Sequence, residues 1–382
     1  MADPVEIGCL ATLIGLNVAG FFTDQIPLQV NMTCQALSII IFGAKRSVWE
    51  LIKEFKKIHV DKKAGVDGDG IETMSKDDVM QFPIYAGGTL IALYALIKYV
   101  GKEVVNPILL CYMGFGGSIS IKAGLLSTGI PVFESLDSKV LFHLKIGFMD
   151  IDQDVTLLDI VSLIIAYIMV GIYILTKSWI YNNILATLMS INAVQMIFLG
   201  NFKNGFGMLI ALFFYDIFFV FGTDVMLTVA KSIDAPIKIL FPTDWTEDPP
   251  KFSLLGLGDI VIPGIFMAMC LRYDILRSLN VKAVNNLSEA GEASEVVNML
   301  RKASVNAPKP YFNGCVLGYI LAIITTVVIM LVFEHGQPAL LYLVPGCLGT
   351  VLLNALMKGE LTSIWEFSEE NFVNDEAAKK KD

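Results

Sequence analysis

The chain has 382 residues, 55% of them hydrophobic and only 17% charged, with a formal net charge of −9. Soluble domains run nearer half apolar and a quarter charged, and here the apolar excess is gathered into blocks, as in a chain that crosses a membrane repeatedly. The charge is mixed in sign and no basic stretch interleaves with aromatics, which excludes a nucleic-acid surface; six scattered cysteines and three histidines outside any HExxH pattern exclude a disulfide framework, a CxxC metal site and a membrane zinc protease.

Residues 5–22, VEIGCLATLIGLNVAGFF, are apolar enough for a signal core or a short span, but the preceding MADPVE is acidic, which is wrong for a secretory signal. Residues 1–25 are therefore read as a lumenal segment, with its own crossing left open. Nine stretches then come near the roughly 20 apolar residues that a span needs: 26–44, 82–100, 105–125, 156–175, 180–199, 205–230, 254–276, 311–333 and 339–357. The first is the weakest, because Asn31 and Gln35 interrupt it. The expected fold is all-α and polytopic: a membrane bundle over 26–200 with a loop at 45–81, a membrane core over 201–357, and a tail over 358–382.

Lysine and arginine orient the spans. The loops 45–81, 126–155, 200–204 and 277–310 with the tail carry 20 of them, against 5 in the loops on the other side. The C-terminus is expected in the cytosol and the N-terminus in the lumen. KRSVWELIKEFKKIHVDKK (45–63) reads as a juxtamembrane cytosolic helix, with attraction to anionic lipid as a second reading. DGDG at 67–70 hints at an EF-hand, but Gly65 and Lys76 stand where that loop needs acids, so it reads as a turn. The 277–310 loop is polar and expected to be flexible, and the ending Lys379-Lys380-Lys381-Asp382 matches a di-lysine retrieval pattern, or a plain solvated charge run.

One acid stands in the middle of ALFFYDIFFVFG (211–222). A charge at a helix centre costs about 2.5–3.5 kcal/mol on insertion scales, and such residues usually face a cavity and carry function. Asp216 has a counterpart in Asp259, within LLGLGDIVIPG of the following span. Two carboxylates that share a proton sit about 3 Å apart. Asp224, eight residues beyond Asp216 on what reads as one helix, lies about 12 Å along the axis and cannot pair with it. Asp216 and Asp259, on consecutive antiparallel spans, can face each other. Asp159, near a span end, reads as structural. Gly256 and Gly258 strip side chains from beside Asp259, which lets a neighbouring helix or a substrate strand approach. In HGQPALLYLVPG (335–346), Pro338 and Pro345 give the last span an irregular start. That is either a cavity wall offering backbone groups to a strand or a proline-started helix after a tight turn.

These residues carry a resemblance. Tyr215-Asp216, Gly256-Leu257-Gly258-Asp259 and Gln337-Pro338-Ala339-Leu340, in this order, resemble the YD, GxGD and PAL motifs of the intramembrane aspartyl proteases. FGTDVMLTVAK (221–231), APIKILFP (235–242), GLGDIVIPGIF (256–266) and QPALLYLVP (337–345) are similar to the signal peptide peptidase branch, as are FPI (82–84) and FGAKRS (42–47). The similarity covers about 26–360. It implies a nine-span, presenilin-like protease of the endoplasmic reticulum membrane, without cofactor or metal. Its catalytic pair is Asp216 and Asp259. Tyr215, Gly256, Leu257, Gly258, Gln337, Pro338, Ala339 and Leu340 lie around the substrate. The implied substrates are signal-peptide remnants and membrane proteins whose N-terminus faces the cytosol, and the implied partners are further copies of the chain and membrane-protein degradation machinery. Presenilin has a much longer loop between the catalytic spans than 231–253 here. Two features depart from the family: the first 25 residues match nothing in it, and Asp224 stands where an asparagine is expected. The sequon Asn31-Met32-Thr33 is close to or inside the first span, and Asn286-Leu287-Ser288 falls on the cytosolic side.

Two other classes keep buried acids or a protease scaffold. An ion- or proton-coupled transporter does so with internal repeats, and the two halves of this chain show no convincing similarity. A non-catalytic chaperone or receptor for misfolded membrane proteins is the third reading.

Overall fold

The structure, a computed structural model, describes residues 4–19, 27–63, 73–127, 130–146, 151–244, 251–279, 293–333 and 337–369. The DGDG turn, the sequon at 286–288, residues 335–336 and the tail beyond 369 lie outside the described residues. The fold is helical and polytopic. Six helices among the described residues are long and apolar enough to cross a membrane: α3 (Lys76–Tyr99), α4 (Lys102–Ser127), α6 (Leu157–Thr176), α8 (Phe202–Phe221), α12 (Pro310–Phe333) and α13 (Leu340–Lys358). The other three expected spans are also helical, in α2 (Leu28–Lys63), α7 (Trp179–Met196) and α10 (Gly258–Ser278). They are more polar, with Asn182, Asn183, Asn192 and Gln195 in α7 and Asp259, Arg272, Asp274 and Arg277 in α10. The expected count of nine spans is thus not reached by length and apolarity alone.

Several elements differ from the sequence expectation. The helix carrying Asp216 stops at Phe221 rather than running to 230; Gly222 ends it, and α9 (Val225–Ser232) is separate. Asp216 and Asp224 are therefore not on one helix, and Asp224 is exposed beyond its end. Residues 254–256 belong to a strand, and α10 begins only at Gly258. Two hairpins stand where loops were expected: β1 (Val140–Ile146) with β2 (Ile151–Thr156), and β3 (Lys238–Asp244) with β4 (Lys251–Gly256), both antiparallel. The loop 277–310 contains α11 (Ala293–Asn306), which buries Val296 and Leu300. The 45–63 segment is a continuation of α2, packed through Val48, Leu51, Ile52 and Phe55.

The chain divides into two compact units. The first comprises Met1–Gln35, Leu93–Asn192 and Thr228–Leu257. Here α4 packs on α6, and glycines make the approach close: a Cβ at Gly114 would lie 3.1 Å from the Tyr167 ring. Thr156 and Asp159 form a capping box at the start of α6, and Lys122 bridges Asp159 and Asp137, each at 2.9 Å. Asp159 is thus engaged in holding a helix end. The buried Asn182 and Asn183 of α7 donate to the carbonyls of Lys238 and Leu240 at 2.7 and 2.8 Å, tying β3 to that helix. Also in this unit, α1 (Pro4–Ala19) buries Cys9 and Leu13.

The second unit comprises Ala36–Ala92, Ala193–Leu227 and Gly258–Asp382. Its centre is α10, buried continuously from Pro263 to Leu276 and flanked by α8, α11, α12 and α13. The polar side chains toward the end of α10 meet a helix start and two carboxylates. The Asp274 carboxylate accepts from the N–H groups of Tyr311 and Phe312 at 3.0 and 2.9 Å, where α12 starts at Pro310 with donors that the helix itself cannot satisfy. Arg272 meets Glu369, and Arg277 meets Glu360, which also accepts from the Tyr311 hydroxyl at 2.8 Å. A short helix, α14 (Leu361–Glu366), leads from α13 to Glu369.

Candidate active site

Helix α8 starts on Asn201, whose side chain accepts from the Asn204 N–H at 2.8 Å. Fifteen residues on, Asp216 faces the interior of the second unit and is only 4% exposed. Its neighbour Tyr215 is half-buried, with its ring 4.7 Å from that of Phe219. Both rings lie over Gly87 of α3, where a Cβ would come within 3.4 Å of Phe219 and 3.6 Å of Tyr215. The glycine makes room for the aromatic pair.

Helix α13 begins abruptly. Gln337 and Pro338 are not helical, Ala339 is its N-cap without a side-chain cap, and the first helical N–H belongs to Leu340. That N–H donates to Asp216 Oδ2 at 3.0 Å. The carboxylate of one helix thus caps the N-terminus of another, where exposed N–H groups and the helix dipole favour an anion. The sequence left open a cavity wall or a proline-started helix here; the non-helical Gln337-Pro338 leads into the N–H that meets Asp216.

Asp259 sits in the first turn of α10, right after the strand β4 ends at Gly256. Its backbone carbonyl accepts from the Tyr319 hydroxyl of α12 at 3.2 Å. Its helix α10 packs against both α8, which carries Asp216, and α13, whose first N–H meets Asp216. The nearest atom to a Cβ at Gly258 would be Ile262 Cδ1, at 3.8 Å, so space is left beside the acid. Gly256 pairs with Lys238 across the hairpin, and the Leu257 N–H donates to the Ile237 carbonyl at 3.2 Å. The hairpin therefore fixes the chain up to the residue before Gly258.

The second unit contains Tyr215, Asp216, Gly258, Asp259 and the Pro338–Leu340 segment, and it joins Asp216 to Leu340 directly. Tyr319 was missed from the sequence. It is a fully buried tyrosine in an apolar helix, and no spacing in YILAIITT sets it apart. A buried phenol needs a partner, but which carbonyl it finds depends on the packing of α12 on α10.

A helical polytopic membrane protein in which a buried acid of one span caps the start of another, with a second acid on a helix packed against both, defines a class of membrane-embedded site. The chain belongs to the signal peptide peptidase family, whose model matches residues 67–371. It is 35% identical to the signal peptide peptidase of Homo sapiens over 351 residues, 89% of this chain and 83% of that protein. The Mus musculus signal peptide peptidase gives the same identity and coverage. The intramembrane protease 2 of Caenorhabditis elegans is 37% identical over 275 residues, 66% of this chain and 55% of that protein. No solved structure matches.

Proposed function

We propose that this chain is an intramembrane aspartyl endopeptidase of the endoplasmic reticulum, with Asp216 and Asp259 as its catalytic pair. Its substrates are transmembrane segments, chiefly signal-peptide remnants and membrane proteins whose N-terminus faces the cytosol. The observation that supports this reading most is the bond from the Leu340 N–H to Asp216, because it joins two of the three motifs at an atom that the chemistry uses.

Two close carboxylates cannot both ionise, so they hold one proton between them. The N–H donor and the start of α13 stabilise negative charge on Asp216. Asp216 is then the base that takes a proton from water, and Asp259 the acid that gives its proton to the carbonyl oxygen of the scissile bond. Water attacks the carbonyl carbon and a tetrahedral diol forms. Collapse of the diol breaks the C–N bond as the dyad returns a proton to the leaving amine. A peptide bond inside a helix is shielded and hydrogen-bonded, so the substrate must open locally before attack. The backbone at Gly258 and the Gln337–Ala339 segment that precedes Leu340 offer groups on which an opened strand can pair.

The test uses purified protein in detergent with a signal-peptide substrate. Asp216→Ala and Asp259→Ala should each lower turnover to background while leaving helix content and thermal stability near wild type. Cleavage at more than a few per cent of the wild-type rate in either variant would reject the assignment.

A further inference from the structure

The two helices that carry the acids are joined at their far ends by a residue outside every motif. Glu369 and Arg272 are both fully buried, with Arg272 Nε 2.6 Å from Glu369 Oε1. The other carboxylate oxygen, Oε2, accepts from the Gly200 N–H at 3.2 Å, and the Glu369 N–H donates back to the Gly200 carbonyl at 2.7 Å. Asn201 and Ser368 add a strand-like bridge beside this pair. The Phe198 ring covers the Arg272 guanidinium at 4.3 Å.

Gly200 stands two residues before the first residue of α8, the helix of Asp216. It takes φ +76°, and a Cβ there would lie 2.9 Å from Thr73 Oγ1, so the turn that aims its N–H at Glu369 requires glycine. Arg272 is on α10, the helix of Asp259. The lever arms are similar. From Gly200 to Asp216 and from Arg272 to Asp259 the chain rises about 20 Å along its helix. A tilt of about 3° at the base moves the tip by about 1 Å on that geometry, and a misplacement of that size is enough to cost about a hundredfold in rate. A buried charge pair is weak as a source of stability, but breaking it is strongly unfavourable, so it holds its geometry firmly.

We infer that Glu369 is a positioning residue: by gripping Arg272 and Gly200 at once it sets the spacing of Asp216 and Asp259. The inference rests on the proteolytic reading above for its effect on rate, but not for its effect on geometry.

The experiment compares wild type, Glu369→Gln and Glu369→Asp in the full chain, measuring kcat and KM across pH. The spacing of the acids sets their coupling, and the coupling sets the width of the bell-shaped profile. Glu369→Gln should lower kcat about tenfold to a hundredfold, leave KM within about twofold and narrow the profile. Glu369→Asp, which keeps the charge on a shorter stem, should recover part of both and serves alone if the glutamine variant does not accumulate. A wild-type kcat, or a loss of amplitude with the profile width unchanged, overturns the proposal. A second readout needs no proteolysis: in an Asp216→Cys/Asp259→Cys chain, oxidative crosslinking between the two positions should fall when Glu369→Gln is added. If wild-type cleavage proves independent of Asp259, the proteolytic reading fails, and the crosslinking still decides the clamp, unchanged yield overturning it.

Discussion

Asp216 is a buried acid that borrows the first N–H of another helix. Hydrogen bonds to charged groups contribute about 1.5–3 kcal/mol, and in the proposed mechanism this one acts on a group that changes its charge during turnover. Replacing the amide at Leu340 by an ester, with the leucine side chain kept, removes the donor and little else. Turnover is then expected to fall about tenfold to a hundredfold, with the folded fraction unchanged; a rate within twofold of wild type would show the bond to be incidental. At this scale much was legible. An acid in the middle of an aromatic run is conspicuous because the bilayer penalises it, and GLGD stands out for the same reason. The donor to Asp216 was not legible, since Leu340 looks like any leucine and only folding brings its N–H to an acid 124 positions earlier.

At the scale of elements, the seam between α12 and α13 shows what holds helices together where lipid removes the hydrophobic driving force. A Cβ at Gly318 would lie 2.3 Å from the Gly346 carbonyl oxygen and 2.6 Å from Thr350 Oγ1, and one at Gly346 would lie 2.7 Å from the Gly318 oxygen. The two backbones touch. Gly318→Val should destabilise the protein by about 1–3 kcal/mol or more and lower activity through the shifted start of α13. Gly349→Ala, on the exposed side of α13 with no atom within 4 Å of its Cβ, should be tolerated. Thermal unfolding in detergent distinguishes them; equal loss in both would remove the seam as the cause. Helix existence was readable from apolar runs, whereas helix ends were not. The run 205–230 is apolar throughout, and only Gly222, with its N–H bonded to the Phe218 carbonyl, marks the stop. The second hairpin was missed because KILFPTD and KFSLLG are short runs without strict alternation, which read as a loop and as the edge of a span.

At the scale of the whole molecule, stability toward acid gathers on a network in the first unit. Asp234 is partly buried, which alone would raise its pKa, but the Lys177 ammonium and the Tyr173 hydroxyl, 2.5 Å away, outweigh this and hold it below the ordinary carboxylate value. A folded pKa below the unfolded one contributes stability that is full above the unfolded value, about 3.9, and is lost as pH falls through the folded value. Wild-type thermal stability should therefore drop below about pH 4. Asp234→Asn should lie lower at neutral pH and converge with wild type in acid. Parallel curves would assign the acid limb to other carboxylates.

The amino-acid sequence by itself determined that this chain lives in a bilayer, roughly where its apolar helices lie and which acids are too deep to be ordinary, because burial in lipid imposes length and apolarity on contiguous residues. The tertiary structure alone decided that Leu340 caps Asp216, that Tyr319 reaches the Asp259 carbonyl, and that Glu369 grips Arg272 and Gly200. Each of these joins atoms from distant parts of the chain, and packing between helices, which no local pattern encodes, sets their distance.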